Sequence, residues 1–334
     1  MGRVLVAVFL VSVLLGLATV FVAIVDVVLH VFQTISTRVD PPLLTFAAGW
    51  YGGLLTLAAL YFFVVAPLLV IALLLARSVH YRRDPPRVTA PRLDWRSQNV
   101  SVVLTAYNDE QSIGLAVDEF RAQPSVSTVI VVDNNSKDGT AAVAAAHGAT
   151  VIHEPRQGYG YACMGGMHYA LDHTPAEFIV LCEGDMTFFA EDLEKMLPYM
   201  AECDLVLGTR TTRTLTRHGS QMNWFLAWGN LFLAFLIRLR YWDTTFLGRT
   251  RLTDVGCTFR VIRREALSRI GEQLSVGGHY FSPHMILIAL RNWLTVVEVP
   301  IRFRQRVGMS KGAGGSNARA FGIGLQMVRE IAFH

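Results

Sequence analysis

Residues 179 to 189 read IVLCEGDMTFF, and Glu183 and Asp185 stand two positions apart where the apolar run Ile179–Val180–Leu181 ends. Carboxylates at the end of a buried strand are costly unless something pairs them. Two acids around a glycine can both turn toward one ion when the strand breaks into a loop. A hard divalent cation such as Mg2+ or Mn2+ suits that pair, because it takes carboxylate oxygens, keeps several waters and shares its coordination with phosphate. Thr187 is close enough in sequence to assist through a water. The plainer alternative is a solvated acidic pair, and an ExD tripeptide by itself favours it. Two further polar clusters tip the balance toward metal.

Those clusters become visible from the elements around them. VSVVLTAYN is a short β-branched run ending in a loop, and EQSIGLAVDEFRAQ follows with helical spacing. STVIVVDNNS reads as a strand, DGTAAVAAAHG as a helix, TVIHE as a brief strand and EFIVLC as another. Strands alternating with helices imply βαβ units and a parallel sheet, whose ligands bind outside the carboxyl ends of the strands. Tyr107–Asn108, Asp133–Asn134–Asn135–Ser136 and Glu183–Gly184–Asp185 all fall at such ends. A dinucleotide site is not the explanation. GYGYAC starts as GxG but has Cys163 where the third glycine belongs, and no GxxxxGK[ST] occurs.

Composition adds a membrane. Of the 334 residues 52% are hydrophobic and 17% charged, against about 25% charged in ordinary globular domains. From Val4 to Phe32 only Asp26 and His30 interrupt an apolar run, and a second uncharged run extends from Leu43 to Ala76. Either is long enough to cross a hydrocarbon layer of about 30 Å. Arg77, Arg82, Arg83, Arg87, Arg92 and Arg96 crowd after the second run and Arg3 precedes the first. By the positive-inside rule both ends face the cytoplasm. The expected organisation is two transmembrane helices over 1–77, a basic juxtamembrane linker over 78–97 and a cytosolic domain after it. The net charge of +4 comes with no nucleic-acid motif, and the arginines read as membrane anchors. Four isolated cysteines, without CxxC, suit packing in a reducing compartment.

VSVVLTAYNDEQSI, VIVVDNNSKDGT, CEGDMTF, LVLGTR, DVGCTFRVIRREAL and VPIRFRQRVGMSKGAG together resemble the family 2 glycosyltransferases of GT-A fold. More narrowly, they are similar to the dolichyl- and polyprenyl-phosphate sugar synthases. The resemblance covers residues 98–316, the GT-A catalytic domain, an α/β fold with a mostly parallel sheet flanked by helices. It implies that Tyr107, Asn108, Asp133, Asn135 and Glu110 hold the base and ribose of a nucleoside-diphosphate sugar. Glu183 and Asp185 match the DxD metal motif, with Glu in place of the first Asp, and Thr187 lies near the ion. Arg306 and Lys311 match the basic loop over the donor diphosphate, and spaced cations among glycine and serine suit phosphate.

The acceptor side is read from GTRTTRTLTRHGSQMNWFLAWGNLFLAFLIRLRYW. Arg210, Arg217 and Ser220 precede an apolar stretch, about 221–240, that is short for a span and flanked by arginines. It reads as an interfacial helix, with a buried core helix as the alternative. A second amphipathic helix is expected over 317–334. The resemblance implies an inverting transfer to undecaprenyl, decaprenyl or dolichyl phosphate, with Arg210, Arg217, Asp185 and Asp254 as the catalytic set. Asp254, in TDVGCTFR, either orients the arginines or takes a proton. A polysaccharide or glycolipid hydroxyl is the alternative acceptor, although the QxxRW motif of polysaccharide synthases is absent from the sequence. An inactive scaffold is the third reading. The sequence leaves a homo-oligomer open.

Overall fold

The structure is a computed structural model that describes Gly16, Val27, Leu215 and residues 99–212, 224–241, 251–308 and 317–333. The chain divides into two compact units, Met1–Arg87 and Val88–Ala332. Apart from Gly16 and Val27, the expected membrane segments and linker lie outside the described residues, as do Arg217, Ser220 and Lys311.

In the second unit strands and helices alternate as the periodicity requires. β1 (Val100–Ala106), α1 (Glu110–Arg121), β2 (Val126–Asp133), α2 (Thr140–Ala146), β3 (Thr150–His153), α3 (Tyr159–His173) and β4 (Phe178–Glu183) come first. Next are the single turn α4 (Leu193–Met196), β5 (Leu205–Thr209), α5 (Trp224–Arg240) and β6 (Arg260–Arg263). The remainder is α6 (Arg264–Ile270), α7 (Phe281–Arg291), β7 (Val296–Pro300) and α8 (Asn317–Phe333). The seven strands form one sheet ordered β3-β2-β1-β4-β6-β5-β7. All neighbours are parallel except β6, which runs antiparallel to both β4 and β5.

β1 is buried along its whole length. That is why VSVVLTA is a continuous apolar run rather than an alternating one: helices cover both faces of a parallel strand. α1 buries Ile113, Ala116, Val117 and Phe120 on one stripe against the sheet. Behind it Phe120 and Phe188 meet Phe259 edge-on at 5.8 and 5.7 Å, and Phe303 closes on Phe188 at 5.4 Å.

The glycines of GYGYAC serve packing. A Cβ on Gly160 would lie 1.9 Å from the Val276 carbonyl oxygen, so the start of α3 approaches the 276–277 backbone only without a side chain.

Candidate active site

The strand order turns back on itself between β1 and β4, the point where a doubly wound sheet opens a crevice. In the register Thr105 lies beside Glu183, Ala106 beside Asp133 and Asp133 beside His153. Three polar strand ends therefore arrive at adjacent points of one edge. β5 and β7 also end there. Antiparallel β6 begins there, bringing Arg210, the 302–308 segment and the Asp254 loop to the same edge.

On the β1–β2 side, Asn108 takes a left-handed φ of 50°. Its amide donates to Ser136 Oγ (2.9 Å) and its Oδ1 accepts from the Lys137 amide (2.7 Å), which stitches the two loops together. Asp133 accepts from the Ser136 amide at 3.2 Å and lies 3.3 Å from His153 Nδ1. Asn135, at φ 63°, donates to the Pro155 carbonyl. The exposed Glu110 accepts from the Gly139 amide at 3.1 Å, a local brace between α1 and α2. Asn134, beside Asn135 and given no role of its own by the sequence, is buried. It holds the carbonyls of Glu154 and Arg156 and the amide of Gly158, fixing the entry to α3.

The acidic pair meets a cation of the chain itself. Arg306 Nη1 is 3.0 Å from Asp185 Oδ2 and 4.0 Å from Glu183 Oε2, while its Nη2 donates to Asp109 Oδ1 at 2.9 Å. One guanidinium thus spans three carboxylates. Asp109 is a second residue missed from sequence: buried, it also accepts from the Tyr107 amide at 2.9 Å. Thr187 donates its hydroxyl (2.6 Å) and amide (3.0 Å) to Asp185 Oδ1, so it orients that carboxylate. Asp185 is 3% exposed in its side chain against 29% for Glu183. Burial, with the charge of Asp185 beside it, pushes the Glu183 carboxyl up, against the pull of Arg306.

The donor set fits a hard divalent ion, because two carboxylates already converge on one positive nitrogen. Among the described residues no group of three or more His, Cys, Asp or Glu is arranged to hold a metal ion by itself. The remaining coordination of such an ion would fall to water and phosphate, as Mg2+ and Mn2+ tolerate.

Arg306 is delivered by an extended segment laid along the loop after β4. Phe303 bridges to Phe188, the Arg304 amide donates to the Thr187 carbonyl (2.9 Å) and the Val307 amide to the Asp185 carbonyl (3.2 Å). Arginines recur at every second position. Arg302 binds Asp192 and Glu191, Arg304 binds Glu119, and both stack on Phe189 at 4.5 and 4.2 Å.

On the other side of the edge, Asp254 is fully buried and accepts from four donors. These are Arg210 Nε (2.7 Å), Arg210 Nη2 (2.8 Å), the Arg210 amide (3.0 Å) and the Gly256 amide (3.2 Å). Burial opposes its ionisation, but Arg210 and these hydrogen bonds outweigh burial and hold the carboxyl below the usual range. Glu298 anchors the same loop through the amides of Thr253 and Asp254. Arg210 also lies 5.2 Å over Phe303 and within electrostatic reach of Glu183. Of the expected site residues, the structure brings together Tyr107, Asn108, Asp133, Asn135, Glu183, Asp185, Thr187, Arg210, Asp254 and Arg306 along one edge.

Fold and site together define a GT-A glycosyltransferase. The sequence profile of Glycosyl transferase family 2 matches residues 101–271. An uncharacterized glycosyltransferase of Mycobacterium tuberculosis is 34% identical over 218 residues, spanning 65% of this chain and 90% of the relative. A polyprenol monophosphomannose synthase of Mycolicibacterium smegmatis is 30% identical over 234 residues, 67% of this chain and 84% of that one. An undecaprenyl-phosphate mannosyltransferase of Micrococcus luteus is 28% identical over 230 residues, 65% and 88% respectively. In fold, the chain is similar to glucosyl-3-phosphoglycerate synthase of Mycobacterium tuberculosis, solved with Mn2+, UDP and phosphoglyceric acid. The TM-score is 0.51 at 18% identity, covering 70% of this chain and 78% of that structure. The chain belongs to glycosyl transferase family 2, and it is a glycosyltransferase.

Proposed function

We propose that this enzyme moves a sugar from a nucleoside-diphosphate sugar to a polyprenyl phosphate at a membrane surface, with inversion at the anomeric carbon and Mg2+ or Mn2+ as its ion. The observation that carries the reading is the state of Asp254. It is the carboxylate on the acceptor side, and Arg210 and the Gly256 amide occupy both of its oxygens. A sugar hydroxyl needs a base to become a nucleophile. A phosphomonoester, with its second pKa at about 6, arrives largely as a dianion at neutral pH and needs only to be held. An arginine fixed by a buried aspartate suits that task, and the names of two relatives, a polyprenol monophosphomannose synthase and an undecaprenyl-phosphate mannosyltransferase, point the same way.

Within this reading Asp133, Asn135 and the Tyr107–Asn108 loop hold the nucleoside, with Glu110 bracing them. Glu183 and Asp185 hold the ion, and Thr187 keeps Asp185 turned toward it. The ion, when bound, neutralises charge developing on the departing diphosphate. Arg306, with Lys311, screens the same phosphates from the protein side. Arg210, Arg217 and Ser220 hold the acceptor phosphate.

The membrane part of the proposal rests on two helices. α5 exposes Trp228 (68%), Leu231 and Phe235 along one face, and α8 exposes Phe321 and Leu325. Exposed aromatic and aliphatic stripes near Arg238, Arg240 and Arg329 suit a headgroup region. Among the described residues no helix is long and apolar enough to cross a membrane. Spanning is assigned to the amino-terminal segments 1–77 from their two apolar runs, and the arginines that flank them assign the catalytic domain to the cytoplasmic side.

The test incubates the full chain with Mn2+, a panel of labelled nucleoside-diphosphate sugars, and either undecaprenyl phosphate or 3-phosphoglycerate as acceptor. A lipid-linked monosaccharide that is labile to mild acid is the expected product. Transfer to phosphoglycerate, with no labelled lipid, would overturn the acceptor assignment.

A further inference from the structure

We propose that Asn230 is a positioning residue that ties helix α5 to the arginine of the acceptor side. This rests on the reading above in assigning Arg210 to the acceptor. From Phe225 to Ile237 every residue of α5 is apolar or glycine except Asn230. The helix turns one stripe toward the domain, with Leu233, Ala234 and Ile237 buried on it, and Asn230 opens that stripe at the i, i+3, i+4, i+7 positions. An amide there lowers helix propensity and must be satisfied. Its Oδ1 accepts from the Gly256 amide at 3.0 Å, and its Nδ2 donates to the Leu226 carbonyl at 3.0 Å, which locks the side chain in place.

The Gly256 N–H is shared. It also lies 3.2 Å from Asp254 Oδ1, the oxygen that accepts Arg210 Nη2 at 2.8 Å. A Cβ on Gly256 would stand 2.8 Å from Asn230 Oδ1 and 3.3 Å from Arg210 Nη2, so the three groups meet at one point that only glycine leaves open. Helix, loop, carboxylate and guanidinium thus form a continuous chain of contacts. The helix whose outer face carries Trp228, Leu231 and Phe235 sets, through Asn230, where Arg210 stands. If that face rests on a bilayer, Asn230 fixes the height of the phosphate-binding arginine above it.

The experiment is steady-state kinetics on the full chain in vesicles containing undecaprenyl phosphate, comparing wild type, Asn230→Leu, Gly256→Ala and Gly256→Ala with Asn230→Ala. Asn230→Leu keeps the branched shape and the number of heavy atoms and removes the tether. Losing one hydrogen bond, about 1 kcal/mol, corresponds to a roughly five-fold rise in acceptor KM. Donor KM and Mn2+ dependence should stay within about two-fold of wild type. In Gly256→Ala the new methyl collides with Oδ1, and removing Oδ1 relieves it, so the double variant should be no worse than Gly256→Ala alone. Equal rises in donor and acceptor KM, an unchanged acceptor KM in a folded Asn230→Leu, or additive losses in the double variant would each overturn the proposal. Should Asn230→Leu fail to fold, Asn230→Ser gives the same readout. If wild type turns over only a soluble acceptor, the acceptor assignment and the membrane height fall. The link from Asn230 to Arg210 is then judged on that acceptor's KM.

Discussion

Replacing Asp254 by asparagine separates an orienting carboxylate from a general base. The side chain is fully buried and serves four donors, and its main partner Arg210 is only 13% exposed. Asparagine keeps the volume but loses the charge and offers an NH2 where an acceptor stood. Stranding a buried guanidinium in this way costs about 3–5 kcal/mol. If that cost appears as displacement of Arg210 in the transition state, it corresponds to roughly two to nearly four decades in rate. If it appears in the fold, the loss is a large part of the roughly 5–15 kcal/mol that holds a domain together. Thermal melts run beside the kinetics tell the two apart. The pH–rate profile carries the decision. The acid limb should follow the acceptor phosphate, near pH 6, in wild type and Asp254→Asn alike, because Asp254 already has its proton sites filled by donors. Stability should behave differently. The folded carboxyl is held below its unfolded value, so its contribution is present above about pH 4 and is lost as pH falls through the lower, folded value. The gap in melting temperature between wild type and variant should therefore hold from pH 5 to pH 9 and close in acid. A limb that vanishes or moves by more than about one unit in the variant would refute the reasoning and make Asp254 a true base.

Asp185→Asn should lower activity by at least about 100-fold while the protein stays folded; a near-normal rate with unchanged metal dependence would remove Asp185 from the ion site. Arg306→Ala should bind Mn2+ alone more tightly, read by the loss of free-ion EPR signal, because a competing cation has left Asp185 and Glu183. Donor KM should rise in the same variant, and weaker Mn2+ binding would contradict the competition. Gly160→Ala forces a methyl onto the Val276 carbonyl, a clash worth about 1–3 kcal/mol, so the melting temperature should fall by roughly 2–12 °C. An unchanged melt would show that α3 can shift away at no cost.

The strand-end clusters were legible because parallel strands deliver their carboxyl ends to one edge, so three local patterns sum to one place without knowledge of pairing. The choice between adjacent residues was not legible. Asp109 and Glu110 are both acids at the start of α1, yet Asp109 precedes the helix and turns toward Arg306, while Glu110, one residue on, turns out to Gly139. Asn134 and Asn135 divide in the same way, one locked by Glu154, Arg156 and Gly158, the other on Pro155. That split is set by cap and turn geometry, which residue type alone leaves free. The position of β6 was also hidden. An antiparallel strand between β4 and β5 depends on contacts about eighty residues apart, such as Leu181 beside Arg260, and no local period reports them. Arg306 was found through the resemblance of its loop to the family's, but its partner Asp109 lies 197 residues away.

The two-residue repeat of Arg302, Arg304 and Arg306 gives that stretch a reading frame. Each guanidinium meets its own acid, with Phe303 turned the opposite way onto Phe188. In an extended backbone, adding or removing one residue exchanges the two faces for everything downstream. Between Arg304 and Arg306 such a change would send the last guanidinium away from Asp109 and Asp185 and turn Gln305 or Val307 toward them. The segment should therefore tolerate single substitutions far better than any change of length. A library built on this enzyme can vary single letters around Arg306, which the donor site needs, but it must keep the number of residues from 302 to 307.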